Sequence, residues 1–531
     1  MGLNWLDLLV FGVYILASVG LGFYVSRTGR KTVKDYFLGD RDLPWYVIGA
    51  SIVATVVSTE HFIAQVGAAY SQGIVVAAFT WNAWIVYSLL VWIFLPYYIR
   101  SGVFTMPEFL ERRYSPALRY FFAVFLALGY IASIIAGSLY AGGLALESIA
   151  GIDIRLGIFS LALITGAYTI YGGLKSAAWT DFLQMIVILV GGLLVPVLGI
   201  LKAGGVLSLM QEFPDKFVLF RPSSDPVFPA TGVFTGFVSI GLWYNCASQH
   251  IVQRCLGARD EWHSRMGVIF AGFLQMLVPF LFVLPGIIAW KLYPNLERPD
   301  HAYLTLVREL IPAGLRGLIL AAMASALMST LSSMINSTST LVTIDLYQRY
   351  WRPDASERRR VYVGQWSGAV TLALGVVIAF YYATLKDSFL FLLIQDVFAY
   401  IAPPFAVIFT AGILWRRANA SGALATVSLG LPLSYLLQYW LIPGINYLHR
   451  AFLAWVFCVV VMVIATLATK PPESSQVDGV IWNLRYARLP AELARRYTGW
   501  RDFRMWWGVF VFCSVALYAF LYWFGSHRNG V

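Results

Sequence analysis

The sequence predicts an all-α polytopic membrane protein of about fourteen transmembrane helices, and three observations predict it. Of its 531 residues, 59% are hydrophobic and 12% are charged, about half the charge of an ordinary soluble chain. Apolar runs of about 18 residues or more, enough to cross a hydrocarbon core roughly 30 Å thick, recur along nearly the whole length. The runs are long and apolar on most faces, which excludes barrel strands of about ten residues that alternate apolar with polar.

The fourteen candidate helices span 5 to 25, 44 to 70, 76 to 99, 118 to 147, 154 to 172, 178 to 201, 231 to 255, 265 to 291, 315 to 346, 361 to 383, 388 to 415, 420 to 441, 448 to 469 and 504 to 525. Helix one contains Asp7 and follows no basic stretch, the wrong layout for a cleaved signal peptide, so it is expected to remain as a helix. Helix two is interrupted by Ser51, Thr55, Ser58, Thr59, Glu60, His61 and Gln65. Helix seven is interrupted by Gly232, Gly236, Gly241, Asn245, Ser248 and Gln249. Unwound backbone at membrane depth is tolerated only where it lines a cavity, so both helices point to one. Helices two to six and seven to eleven number five each, and an odd number turns the second set upside down relative to the first. That is the inverted repeat common among secondary transporters, here about 44–201 and 231–415. Helices 5–25, 420–441, 448–469 and 504–525 are peripheral to it. No linker divides the chain, so 1–531 is expected to be one membrane transport domain. Its longest polar stretch, 470 to 503, reads as an Arg-rich surface loop.

The net charge of +11 belongs to topology rather than to nucleic acid. With the N-terminus outside, the inner loops hold 25 Lys and Arg, with Arg254 and Arg265 counted at the edges of one of them, and the outer loops and tails hold 9. This bias predicts a plasma-membrane protein with both termini outside and membrane lipid as its surroundings. Cys246, Cys255, Cys458 and Cys513 form no CxxC or Cys/His cluster, so they are expected to be packing residues.

Helix nine carries the densest polar chemistry, with Ser329, Thr330, Ser332, Ser333, Ser337, Thr338, Ser339 and Thr340 in one helical stretch. Ala326, Ser329 and Ser333 share a face. Uncharged hydroxyl and carbonyl oxygens suit a small hard monovalent cation such as sodium, whereas a soft metal favours sulfur or imidazole. Asp181, near the inner end of helix six, adds a carboxylate whose insertion costs about 2.5–3.5 kcal/mol at a helix centre, which makes it a functional candidate.

Six segments then carry a family resemblance: DYFLGDRDLPWYVIGAS (Asp35 to Ser51), FTMPEFLERRY (Phe104 to Tyr114), IYGGLKSAAWTDFLQ (Ile170 to Gln184), QHIVQR (Gln249 to Arg254), VPFLFVLPG (Val278 to Gly286) and STLSSMINSTSTLVTIDLY (Ser329 to Tyr347). In this order they resemble the sodium:solute symporter family, with the nearest likeness to the sodium/glucose cotransporters, over about residues 35 to 415. The resemblance implies a leucine-transporter-like 5+5 inverted repeat with discontinuous first helices, and no enzyme activity. It implies a first sodium site from the carbonyls of Ala54, Val57 and Ala326 and the hydroxyls of Ser329 and Thr330. A second, present in some members, falls here on Asp181, Ser332 and Ser333, with Ser329 shared, so two sodium ions per substrate are expected.

The same resemblance places His61, Thr80, Gln275 and Gln395 at substrate-contact positions and Tyr244 at the inner gate. The sugar carriers' helix-three acid is Thr80 here and their helix-eight lysine is Gln275, while expected asparagines are Val56 and Gly241. Loss of an acid and a base together predicts a neutral pocket for a small neutral solute, a sugar or polyol, imported by alternating access. No Arg lies in the middle of helices two, three, four, seven or eight to pair with a carboxylate substrate. Asp396, with Trp81, Trp84 and Trp243 as cation-π faces, keeps an amine substrate open. A solute sensor that does not transport is the remaining alternative. The chain contains no GxxxxGK[ST], TVGYG, HExxH or GxSxG segment, which argues against an ATP-driven pump, a potassium-type channel and a membrane-embedded hydrolase.

Overall fold

The computed structural model describes residues 3–27, 32–384, 390–442, 444–477 and 481–528, with backbone alone for 390–398, 400, 438, 475 and 526–528. The described residues form helices throughout, and the one strand-like feature among them is an isolated parallel bridge between Leu43 and Ala258. The bridge joins the start of helix two to the chain just after helix seven, through Leu43 N–H to the Gly257 carbonyl (3.0 Å) and Arg259 N–H to the Leu43 carbonyl (3.2 Å).

Ten helices among the described residues are long and apolar enough to cross a membrane, rather than fourteen. Helices five and six run together as Ile154–Lys202, 49 residues, far more than roughly 30 Å of hydrocarbon requires. The run reverses at Gly173 (φ 62°, ψ −156°). A Cβ at Gly173 would strike the Tyr36 carbonyl, so this turn needs glycine. Helices two and seven are each divided into shorter pieces, and of helix eleven the shorter piece Ile401–Leu414 meets the apolar criterion.

Burial separates the layers. Helix nine (Arg316–Thr340) continues as a π-helical turn to Trp351, and 94% of its apolar window is buried, against 17% for helix one (Trp5–Arg27) and for helix fourteen. A helix covered on every side while carrying nine hydroxyls is the centre of the bundle. Helix one is pinned to it. Asp7 Oδ1 accepts the N–H groups of Gly314 (2.9 Å) and Gly317 (2.8 Å), a carboxylate at the N-terminus of helix nine where the helix dipole favours it. Helix two packs on helix eight (Glu261–Phe282) through glycines: a Cβ on Gly49 would lie 2.6 Å from the Gly267 carbonyl, and one on Gly267 would lie 2.7 Å from Ile48. Small residues at such crossings let the backbones approach.

Two arginines counted among inner-loop charges are not at the surface. Arg254 and Arg265 are both fully buried, Arg265 against Glu261 and Arg254 in the centre of the bundle. The inner-loop excess remains without them.

Candidate functional site

The site begins where helix two breaks. Trp45–Val56 ends, Val57 is extended (φ −75°, ψ 113°), and the helix resumes through a π-helical turn, His61–Gln65, into Val66–Gln72. In an unbroken helix the Ser58 N–H would bond the Ala54 carbonyl. Here it donates to His61 Nδ1 instead (3.2 Å). That leaves the Ala54 carbonyl without its helical partner, and it holds a neutral His61 with its proton on Nε2. Helix seven breaks in the same way, with Ala230–Cys246 ending at Ala247 and Gln249–Leu256 starting after Ser248.

Helix nine meets the first break. Ser329 Oγ lies 2.6 Å from the Ala54 carbonyl, 2.9 Å from that of Ser325 and 3.0 Å from that of Ala326. Thr330 Oγ1 lies 3.0 Å from the carbonyls of Thr55 and Ala326. Each hydroxyl owns a single proton, so two protons face four carbonyl oxygens. The carbonyls of Ser325 and Ala326 keep their helical N–H donors, whereas the break in helix two frees those of Ala54 and Thr55, and an uncharged cluster of carbonyl and hydroxyl oxygens suits a hard monovalent cation. The structure thus brings together Ala54, Ala326, Ser329 and Thr330 and adds Thr55. Val57 is buried in the unwound turn, but among the described residues no hydrogen bond ties its carbonyl to helix nine.

One turn further along, the second candidate set has a charge. Asp181 accepts from Ser332 Oγ (3.1 Å) and from Ser51 Oγ (2.6 Å). Arg254 reaches the same carboxylate at 3.2 Å, and both side chains are fully buried. The guanidinium also donates to Ser51 Oγ (2.6 Å), to Ser333 Oγ and to the His250 carbonyl. Ser333 Oγ is 2.7 Å from Thr55 Oγ1 and 2.6 Å from the Ser329 carbonyl. Asp181, Ser332 and Ser333 are therefore together as expected. Arg254 is the residue that sequence reasoning missed. Its signal was the spacing: His250 and Arg254 lie one turn apart in QHIVQR, and a buried polar stripe on a broken helix needs an internal partner.

Beside the break is a cavity of about 640 Å³. His61, Thr80, Gln275 and Tyr244 all line it, as do Val56 and Gly241. Gln395 lies on Leu390–Leu414, but its side chain, like that of Asp396, is outside the described residues. Asn245 sits one turn beyond Gly241, faces the same cavity and bonds the Gly241 carbonyl through Nδ2 (3.3 Å), so an amide is present on the face where Gly241 has none. Gln65 Nε2 reaches Thr80 Oγ1 (3.5 Å). The amide oxygens of Gln65 and Gln275 are buried without a partner among the described residues, and buried polar atoms normally have one. The expectation of an uncharged lining is corrected: Glu60 and Arg450 both line the cavity, and Glu60 makes no ion pair with a described residue. Trp81, Trp84 and Trp243 are not among the lining residues. Trp81 Nε1 donates to the Met276 carbonyl (3.1 Å), a packing role.

Comparisons with known proteins bear on the family and the fold. The profile of the sodium:solute symporter family matches residues 36–430. The chain is 32% identical over 499 residues to a sodium/glucose cotransporter of Vibrio parahaemolyticus, covering 88% of this chain and 91% of that one. It is 32% identical over 533 residues to sodium/myo-inositol cotransporter 2 of Oryctolagus cuniculus, covering 90% and 79%. Among solved structures, a Na+-coupled sialic acid symporter in a substrate-bound outward-open state superposes with a TM-score of 0.81 at 23% identity, covering 88% of this chain and 99% of that chain. A nucleobase-cation-symport-1 family transporter, closed on its ligand, gives 0.55 at 16% identity, covering 84% and 97%. The fold is leucine-transporter-like, with discontinuous first helices in its two five-helix halves.

Proposed function

The chain belongs to the sodium:solute symporter family, whose members couple transport to sodium and are not enzymes, and on that premise we propose that it imports a small neutral polar solute, a sugar or polyol, with two sodium ions per substrate. The observation that carries this is the shared break in helix two. Ala54 and Thr55 turn their carbonyls to helix nine, while Val56, Glu60 and His61 of the same break line the cavity. Movement of that segment therefore alters ion ligands and solute contacts together, which is the requirement for coupling. Partnerless amide oxygens at Gln65 and Gln275 and the aromatic Tyr244 suit a ligand rich in hydroxyls. Tyr244 takes the place of the inner gate. The cavity is walled by Pro226, Val227, Ile445 and Tyr447, from loops that the charge bias puts outside, so this is the outward-facing state of an alternating-access cycle.

Sodium supplies the work. Each charge that crosses 100 mV contributes about 2.3 kcal/mol, so two contribute about 4.6 kcal/mol, roughly three decades of accumulation before any sodium gradient is counted. The test is uptake of radiolabelled glucose, galactose and myo-inositol into proteoliposomes. Uptake of one of them should require sodium, with a Hill coefficient above one. Equal uptake with choline in place of sodium rejects the proposal.

Glu60 favours a second reading, an amine substrate. Gln keeps an acceptor oxygen and loses only the extra strength of a charged one, about 1 kcal/mol, so Glu60→Gln should weaken polyol transport about fivefold. Removing one partner of a desolvated ion pair costs about 3–5 kcal/mol. Loss of transport by more than a hundredfold in Glu60→Gln therefore identifies the amine.

A further inference from the structure

At the basic end of the molecule a second cavity, of about 710 Å³, lies between the starts of helices two and eight and the segment leading into helix fourteen. Its walls are aromatic: Trp45, Trp262, Phe270, Phe273 and Trp506 line it. Polar atoms of two of its rings are engaged elsewhere. Trp262 Nε1 donates to the Arg501 carbonyl (2.7 Å), and the Tyr497 hydroxyl donates to Asp260 (3.0 Å) while its ring stacks on Trp262 at 4.0 Å. What faces the cavity is ring surface, a poor match for a sugar or nucleotide and a good one for an alkyl chain.

Arg496 and Arg501 line the same cavity. Their guanidinium groups lie over the rings of Tyr497 (5.4 Å) and Trp500 (5.1 Å), both are exposed, and neither makes an ion pair with a described residue. A largely apolar groove at the starts of helices two and eight, with tryptophans around it and beside it two arginines without an ion pair to any described residue, has the charge and polarity pattern of one ligand class. We propose that this cavity binds an anionic phospholipid of the inner leaflet, its acyl chain against the rings and its phosphate between Arg496 and Arg501. The bound lipid rests against Trp45, the first residue of helix two, whose N–H is held by His263 Nδ1 (3.3 Å). It therefore braces the inner end of the helix that carries the Ala54 carbonyl. The assignment of leaflet rests on the charge bias; the site does not depend on which solute is carried.

The test uses the full chain in nanodiscs of phosphatidylcholine doped with phosphatidylglycerol, with retained lipid counted by native mass spectrometry. The parent protein should retain phosphatidylglycerol in preference to phosphatidylcholine. Arg496→Gln and Arg501→Gln should each reduce that retention about fivefold, and the double variant should retain both lipids equally. Met266→Trp, which adds bulk to the cavity wall, should lower retention of both lipids. Equal retention by the parent, a preference that survives in the double variant, or displacement of the lipid by free glycerol phosphate at equal concentration overturns the proposal, the last because it makes the apolar groove superfluous.

Discussion

Helix nine carries two oxygen clusters side by side, built on opposite electrostatic plans. Around Ser329 and Thr330 every contributing atom is uncharged, and the hydroxyls satisfy the neighbouring carbonyls within 2.6–3.0 Å. Around Ser332 and Ser333 lies a buried carboxylate, Asp181, with a buried guanidinium, Arg254, on it at 3.2 Å. The difference has a thermodynamic meaning. A neutral cluster can give up a cation and leave no charge behind, because its hydroxyl protons turn to its carbonyls. A carboxylate in a low-dielectric interior cannot, since an unpaired buried charge costs several kcal/mol. Arg254 is thus the internal cation that holds Asp181 in this structure, and on the proposal that a second sodium binds there, the guanidinium would have to yield its place.

The largest effect that separates the two plans is on stability. Arg254→Gln strands Asp181 and should destabilise the protein by about 3–5 kcal/mol in choline, with sodium restoring much of that loss because the ion replaces the guanidinium. Asp181→Asn strands Arg254 instead, and sodium should restore nothing. Thermal unfolding of both variants, with and without sodium, measures this. Equal sodium rescue of the two would mean that Asp181 is not where the ion binds.

Next in size is the driving force. Asp181→Ala should drop one coupling ion, removing about 2.3 kcal/mol per 100 mV and taking the sodium Hill coefficient toward one while transport continues. At the neutral cluster the outcome differs in kind: Ser329→Ala should leave the coefficient above one and raise the sodium concentration for half-maximal transport ten- to thirtyfold, about 1.5–2 kcal/mol for one hydrogen-bonding oxygen on a charged ligand. If the two variants were kinetically alike, the clusters would be one site.

The contrast also marks what the sequence could and could not disclose. The two elements of the neutral cluster were legible from local signals, hydroxyls repeated along one helix and polar residues interrupting another, while its set of Ala54, Val57, Ala326, Ser329 and Thr330 came from the resemblance. His61, Thr80, Gln275 and Tyr244 were placed by resemblance, and the structure brings them around one cavity. Arg254 had only the spacing in QHIVQR as a signal, because its partner is 73 residues away and an arginine at the end of an apolar run looks like a loop charge. Glu60 was visible as a polar interruption, but nothing local says that its side chain faces the cavity rather than helix nine. The boundary between helices five and six was legible for a local reason: Gly173, with its positive φ, breaks the run that hydropathy divides in two.

The smallest effect concerns the link between cavity and ion. Ser58 N–H has two possible acceptors, the Ala54 carbonyl and His61 Nδ1, and the structure gives it to His61. His61→Ala removes that acceptor and lets the Ser58 N–H return to Ala54, extending helix two by one bond and occupying the carbonyl proposed as a sodium ligand. One such hydrogen bond is worth about 1 kcal/mol, so the half-saturating sodium concentration should rise about fivefold even when measured by sodium-dependent thermal stabilisation with no solute present. His61→Asn, whose side-chain oxygen can still accept the Ser58 N–H, should recover most of the sodium affinity while leaving solute affinity impaired. An unchanged sodium dependence in His61→Ala would confine this residue to the cavity and leave the two halves of the site uncoupled at that point.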